Sequence, residues 1–136
     1  NKKPLLGICL GMQLLTQESQ EGKKNGLGFI KGRTVAFDKV KMKNNEKIPH
    51  MGWNTVSFKK EKDLFNKTER KQRFYFVHSY HVELDHTKDI LTTTKNGYEF
   101  TSSLMHGNII GVQFHPEKSH SFGFNFLSSI IKKFEK

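Results

Sequence analysis

Leu5-Leu6-Gly7-Ile8-Cys9-Leu10-Gly11-Met12-Gln13-Leu14-Leu15 is the stretch whose reading decides the fold. The apolar run Leu5 to Ile8 reads as a strand and Leu10 to Thr16 as a helix, with Cys9 at the junction. Gly7-Ile8-Cys9-Leu10-Gly11 is the cysteine form of the nucleophile elbow, in which a sharp strand-to-helix turn lifts one side chain above the sheet edge. Glycines on either side let a strained turn form and let neighbouring backbone pass close by. The helix N-terminus behind the sulfur is expected to favour thiolate. Cys9 is the only cysteine of the chain, which points to a nucleophile and excludes an internal disulfide framework or a cysteine-built zinc site.

Working outward, the periodicity predicts a strand over Leu5 to Cys9 and a helix from Leu10 to about Ser19, with Leu10, Leu14 and Leu15 on one face. A Gly- and Lys-rich loop follows, with a turn at Asn25-Gly26. Strands are expected near Thr34 to Phe37, Trp53 to Phe58, Arg73 to Leu84, Ile90 to Thr94, Tyr98 to Met105 and Ile109 to Phe114, with Asn96-Gly97 turning one into the next. A helical turn is expected at Asp63-Leu64-Phe65. The chain closes on an amphipathic helix, Phe122 to Phe134, with Phe122, Phe126, Leu127, Ile130, Ile131 and Phe134 at helical spacing. A strand–helix opening, a run of strands and a closing helix imply an α/β sheet with an antiparallel excursion.

The second chemical segment is Gln113-Phe114-His115-Pro116-Glu117-Lys118-Ser119. His115 ends the most apolar strand, at the edge where α/β sheets place their sites. His115 and Glu117 are two apart, so an extended segment presents both on one side. A cysteine nucleophile needs a base, and the base needs a group that holds its tautomer. Cys9, His115 and Glu117 supply those roles. His78 and His81 read as strand-surface or internally hydrogen-bonded residues, because no carboxylate or third histidine stands at ligand spacing.

Composition narrows the class. The 136 residues suffice for one domain with one core. The formal charge of +10 comes from 23 basic and 13 acidic residues. The lysines are scattered over surface-type segments and arginine is scarce, so the excess reads as a solvated surface rather than a nucleic-acid site. No apolar run reaches the roughly 18 residues of a membrane span. Lys2-Lys3 followed by Pro4 to Leu15 mimics a signal peptide, but Gln13 interrupts the apolar stretch and no small-residue cleavage site follows. A reducing, cytoplasmic setting is expected.

Taken together, Gly7 to Leu15, Pro49-His50-Met51-Gly52-Trp53-Asn54, Phe76-Val77-His78-Ser79-Tyr80-His81-Val82 and Gln113 to Ser119 resemble the class I (triad-type) glutamine amidotransferases. Within that family the Pro49 to Asn54 segment is most similar to the glutaminase subunits of imidazole glycerol phosphate synthases, of histidine biosynthesis. The resemblance covers nearly the whole chain. It implies a flavodoxin-like α/β sheet with helices on both faces and no cofactor. Residues 1–136 would be the C-terminal two-thirds of a single domain, whose first strands and glycine-containing oxyanion loop lie outside it.

The resemblance also implies glutamine hydrolysis through Cys9, His115 and Glu117, with the Leu10 N–H as oxyanion donor and Gln13, Ser79 and Tyr80 holding the substrate. Met51, Trp53, Asn54, Tyr75 and Lys118 are similar to residues at the interface with a (β/α)8-barrel cyclase. That partner would use the ammonia to make imidazole glycerol phosphate and aminoimidazole carboxamide ribotide. Aromatic anchors suit interface centres, and the alternative for Trp53 is a core position. Lys118-Ser119-His120-Ser121-Phe122-Gly123 looks like a subset of paralogues that deliver ammonia in surface-sugar biosynthesis. Two rivals remain from other classes: a non-catalytic scaffold on the same fold, and a cysteine peptidase.

Overall fold

The computed structural model describes residues 3–22, 24–42, 47–59 and 71–135. Strand β1 (Leu5–Ile8) runs into helix α1 (Leu10–Leu14). Strands β2 (Glu18–Ser19), β3 (Gly32–Ala36), β4 (His50–Phe58), β5 (Gln72–His78), β6 (Tyr80–Leu84), β7 (Ile90–Asn96), β8 (Tyr98–His106) and β9 (Ile109–Val112) follow, and helix α2 (His120–Phe134) closes the fold. All nine strands among the described residues join one sheet, ordered β2-β3-β6-β8-β7-β4-β5, with β9 added to β8 and β1 to β9. The pairs β1–β9 and β2–β3 are parallel and the other pairs are antiparallel. The expected antiparallel excursion is therefore most of the sheet.

The two helices cover opposite faces. On β9, Ile110 and Val112 join a cluster with Phe74, Phe76, Phe114 and Phe126, against which Phe122, Leu127, Ile130 and Phe134 of α2 pack. The alternate residue Ile109 faces a second cluster, built on Met12 and Leu15 with Ile30, Val82 and Leu104. Phe74 and Phe114 stack at 3.9 Å between ring centroids, and both are fully buried. Offset ring stacking adds to the area these side chains remove from water.

Helix α1 is half its expected length. The carbonyls of Leu14 and Leu15, which a longer helix would have used, accept instead from the N–H groups of Leu27 (2.7 Å) and Ile30 (3.0 Å). The Gln13 carbonyl takes the hydroxyls of Thr16 and Thr34. The buried face is Met12, Gln13 and Leu15, while Leu10 and Leu14 lie exposed, so the expected Leu10–Leu14–Leu15 face does not form. At Asn25-Gly26 the structure has an isolated bridge from Asn25 to Glu18, and Gly26 is needed because a Cβ there would strike the Thr16 carbonyl.

The single strand expected over Arg73 to Leu84 is two. His78 pairs with His50 on β4, whereas Tyr80 pairs with Ala36 on β3, and Ser79 turns the chain between them. The sequence hides this break because its apolar alternation, Phe74, Phe76, Tyr80, Val82 and Leu84, runs on past Ser79, although in β6 both His81 and Val82 are buried. In α2, Ile131 is exposed although its neighbours at helical spacing pack inward. The expected turn at Asp63-Leu64-Phe65 lies outside the described residues. No helix among the described residues is long and apolar enough to cross a membrane.

Gly123 in α2 sits hard against the segment after β9: a Cβ there would collide with the Pro116 carbonyl. Helix propensity alone makes Gly123→Ala stabilising by about 1 kcal/mol. The collision reverses the sign, and urea melts should show a loss of about 1–3 kcal/mol.

Candidate active site

Cys9 stands at the turn between β1 and α1 with φ 54° and ψ −109°, a conformation that side chains with a Cβ rarely adopt. Its N–H donates to the Val112 carbonyl at 2.8 Å, extending the β1–β9 register by one bond. Gly7 is required: a Cβ there would come within 2.6 Å of the Gly11 carbonyl oxygen. Gly11 itself has open space around its Cβ position, so only the first of the two elbow glycines is fixed by contact.

The Cys9 thiol points at the Val77 carbonyl (3.7 Å) and receives the Gln113 amide at 3.7 Å. Burial raises its pKa above the ordinary thiol value, opposed by the Leu10 N–H and the Gln113 amide, with Glu117 and Glu21 adding to the rise. The expectation that the helix N-terminus would favour thiolate is therefore corrected in its net effect. Desolvation outweighs the N–H groups of a five-residue helix. The Leu10 N–H is nonetheless hydrogen-bonded to the sulfur and opposes that rise.

His115 follows β9 by three residues and is bridged to Tyr75 on β5, with its N–H on the Tyr75 carbonyl at 2.9 Å. Its Nδ1 lies 2.9 Å from Glu117 Oε2. Because a carboxylate only accepts, Nδ1 carries a proton, and in the neutral ring Nε2 then keeps its lone pair. That Nε2 is buried and has no hydrogen-bond partner. Glu117 lies in a single 3-10 turn, Pro116–Lys118, so the pairing comes from a turn rather than the expected extended segment. Ser119, fully buried, locks the turn: its hydroxyl donates to the His115 carbonyl at 2.6 Å and accepts the Tyr75 N–H at 2.9 Å. Sequence reading did not single out Ser119; its place after His-Pro-Glu-Lys was the available signal.

Gln13 does not open onto the cleft. It is 7% exposed, and its amide nitrogen donates to the Tyr80 carbonyl (3.0 Å) and to Gln113 Oε1 (3.1 Å). Tyr80 and Ser79 are half-buried, and the Ser79 carbonyl is taken by the Phe37 N–H. Gln113, unassigned in the sequence, thus links Gln13 to the sulfur.

The expected partner-facing residues divide. Met51, Trp53 and Tyr75 share the outward face of the β4–β5 ribbon, where Trp53 lies across from Tyr75 and Met51 from Val77. Met51 is 62% and Trp53 39% exposed, so Trp53 is not a core residue. The Trp53 indole stacks on His120, 5.5 Å away at 4°, and the Arg73 guanidinium lies 5.6 Å over the ring, while Lys118, two residues before His120 in sequence, is exposed. Asn54 is turned to the other face of β4 and hydrogen-bonds inward, to His50 Nε2 (3.0 Å) and the Lys95 carbonyl (2.9 Å). Alternation along the strand forces this separation.

Behind the ribbon, His50 and His78 are buried and joined Nδ1 to Nε2 at 2.9 Å. His78 Nδ1 meets the Tyr80 carbonyl at 2.8 Å. His81 Nε2 meets the Tyr98 hydroxyl at 2.7 Å. The internal reading of His78 and His81 is thus the observed one. Burial lowers the pKa of His50 to about 4 and that of His78 to about 3. No group of three or more metal-ligating side chains converges among the described residues.

Two outcomes follow from these charges. Alkylation of Cys9 by iodoacetamide tracks the thiolate fraction, so its rate should rise with pH to a midpoint above that of a free thiol. A midpoint near neutrality would contradict the desolvated site. His50 and His78 stay neutral when folded but protonate near pH 6.5 when unfolded. The unfolded state then binds the extra protons, so stability is complete above pH 6.5 and falls as the pH drops towards 4. Urea midpoints measured from pH 7 to pH 5 should decline accordingly.

The family model "Glutamine amidotransferase class-I" matches residues 1–130. The chain is 54% identical over 132 residues to imidazole glycerol phosphate synthase subunit HisH 2 of Methanococcus maripaludis, covering 97% of this chain and 64% of that protein. It is 53% identical over 131 residues to subunit HisH of Sulfurimonas denitrificans, covering 96% of this chain and 63% of that protein. The chain thus spans somewhat less than two-thirds of these relatives. Among solved structures, a glutamine amidotransferase from Thermotoga maritima superposes with a TM-score of 0.55 at 21% identity, over 97% of this chain and 48% of that one. That likeness concerns the fold, which is the α/β sheet covered on both faces that the sequence implied. A family match along almost the whole chain, on a fold that sets a cysteine elbow beside a histidine–glutamate pair, makes this chain a member of the class-I glutamine amidotransferases.

Proposed function

We propose that the protein hydrolyses the side-chain amide of glutamine to glutamate and ammonia, as the glutaminase subunit of an imidazole glycerol phosphate synthase. The observation that carries the reading is the unpartnered, buried Nε2 of His115, held in its basic tautomer by Glu117, on the same sheet edge as the strained Cys9.

Cys9 is the nucleophile. Its proton passes to His115 Nε2 as the sulfur bonds to the amide carbon. The oxyanion forms against the Leu10 N–H, with a second donor supplied from outside residues 1–136. Collapse breaks the carbon–nitrogen bond, Nε2 returns the proton to the departing ammonia, and a glutamyl thioester remains. Water then gives its proton to Nε2 and attacks the thioester, and the Cys9 thiol leaves with that proton. Glu117 stabilises the imidazolium in both halves. A thiol pushed above its usual pKa suits this scheme, because the base is then needed in the first step. Ser79 and Tyr80 bind the α-amino and carboxylate groups of glutamine, partly through main chain. Gln13 serves them indirectly, through its bond to the Tyr80 carbonyl.

The partner is a (β/α)8-barrel cyclase, met by Met51, Trp53 and Tyr75 with Lys118 at the margin. Support comes from an aromatic, exposed ribbon face that lies next to the base-bearing turn. The names of the two closely similar relatives favour this acceptor over a surface-sugar one.

Glutamate release by the full-length protein tests the reading, with and without the cyclase and its ribonucleotide substrate. Turnover should be strongly stimulated by the cyclase and absent in Cys9→Ser. Glu117→Gln should lower kcat about a hundredfold or more. Turnover indifferent to the cyclase would remove the assigned partner, and wild-type protein without turnover would remove the activity.

A further inference from the structure

One main-chain oxygen, the Tyr80 carbonyl, accepts from both Gln13 Nε2 and His78 Nδ1. A carbonyl only accepts, so every hydrogen bond leading away from it has a forced direction. On one side, the Gln13 amide nitrogen donates to Tyr80 and to Gln113 Oε1, which leaves the Gln113 amide nitrogen for the Cys9 sulfur. On the other side, His78 must carry its proton on Nδ1. A neutral His78 then accepts at Nε2, and His50 must donate to it from Nδ1. His50 Nε2 in turn accepts from the Asn54 amide, whose second hydrogen goes to the Lys95 carbonyl. The Asn54 Oδ1 takes the Thr55 N–H at 2.8 Å. No polar atom along this chain of bonds is left to choose another orientation.

We propose that His50 and His78 are positioning residues that hold the Tyr80 main chain in place for substrate and tie it to strand β4. The proposal rests on the glutaminase reading above, since it deepens the role given there to Ser79 and Tyr80. Three features fit it. The pair is walled by Phe37, Phe76 and Phe100, with ring centroids 4.7 to 5.6 Å away, and the His50–His78 bond is buried. His78 ends β5 and Tyr80 begins β6, so the bond between them pins the turn that carries Ser79. Asn54 lies on the same strand as Met51 and Trp53, and it lines with them and His50 a pocket of about 550 Å³. A packed apolar pair would fill this space as well but would not fix the carbonyl. Both rings are moreover required in the Nδ1-protonated form.

The first test is the nitrogen NMR of the full-length protein labelled in histidine. At neutral pH, both His50 and His78 should be neutral and protonated on Nδ1. An Nε2-protonated ring at either position would overturn the relay whatever the kinetics show.

The second test compares His78→Leu with His78→Asn in the glutaminase assay. Asparagine places its amide nitrogen where Nδ1 stood and can still donate to Tyr80; leucine cannot. His78→Leu should raise the glutamine KM about five- to tenfold, the worth of one neutral hydrogen bond, with kcat nearly unchanged. His78→Asn should restore most of that loss. Equal KM values in leucine, asparagine and wild-type protein would overturn the positioning role. Equal losses in both variants would do the same, because they would report packing alone. Wild-type protein without turnover would defeat the glutaminase reading and the positioning role together, while the tautomers would still report on the relay by themselves.

Discussion

The site depends on four residue pairs: Leu5 with Ile109, Leu6 with Ile110, Gly7 with Gly111 and Ile8 with Val112. This parallel register is what brings residues far apart in sequence to one sheet edge. In a parallel pair both strands end on the same side, so the residue after Ile8 and the residues after Val112 must be neighbours. A slip of β1 by one residue would turn Gly7 to the other face and take it away from Gly111. That pair is where α1 comes down on the sheet. A Cβ at Gly7 would press on the Gly11 carbonyl, and one at Gly111 would come within 2.9 Å of the Met12 side chain. Two facing glycines thus let the helix approach closely, and the close approach is what bends the chain so sharply at Cys9.

Around that edge, the electrostatics are set by burial more than by charge. The thiol is raised by desolvation, and the nearby carboxylates act in the same direction. The histidines behind the cleft are kept neutral by the same cause. Beside the cleft, His115 has a carboxylate on Nδ1, and its Nε2 is, with Thr94 Oγ1, one of two buried side-chain polar atoms without a hydrogen-bond partner among the described residues. Leaving a buried acceptor unpaired costs about 1–3 kcal/mol. A fold that retains it on one nitrogen while satisfying His50, His78 and His81 has singled that nitrogen out.

Much of this was legible in the sequence, because it depends on local chemistry. The elbow, the strand before His115 and the closing helix each announce themselves by periodicity and by residues with few structural alternatives. What was hidden depends on partners. Helix α1 stops early because Leu27 and Ile30, far along the chain, claim its last carbonyls. The run from Arg73 to Leu84 keeps its alternation through Ser79, so nothing local marks the point where the chain changes neighbours. Gln13 was legible as a site residue by its place after Cys9. Its direction was not, because the Tyr80 carbonyl that receives it comes from another strand. Asn54 was grouped with Met51 and Trp53 by motif, and the two-residue period of β4 separates them.

The β4–β5 ribbon joins these observations. Its outward face carries Met51, Trp53 and Tyr75, and its inward face carries His50, Phe74, Phe76 and His78. Its main chain reaches the site twice, through the Val77 carbonyl on the Cys9 thiol and the Tyr75 carbonyl on the His115 N–H. Nucleophile and base therefore follow two strands, β1 and β9, that are fixed to each other, yet both are braced by a third element. Any force applied to Trp53 acts on a strand paired residue for residue with the one that holds both groups. The exposed aromatic face and the reacting atoms are coupled by ordinary strand pairing, with no separate moving part required.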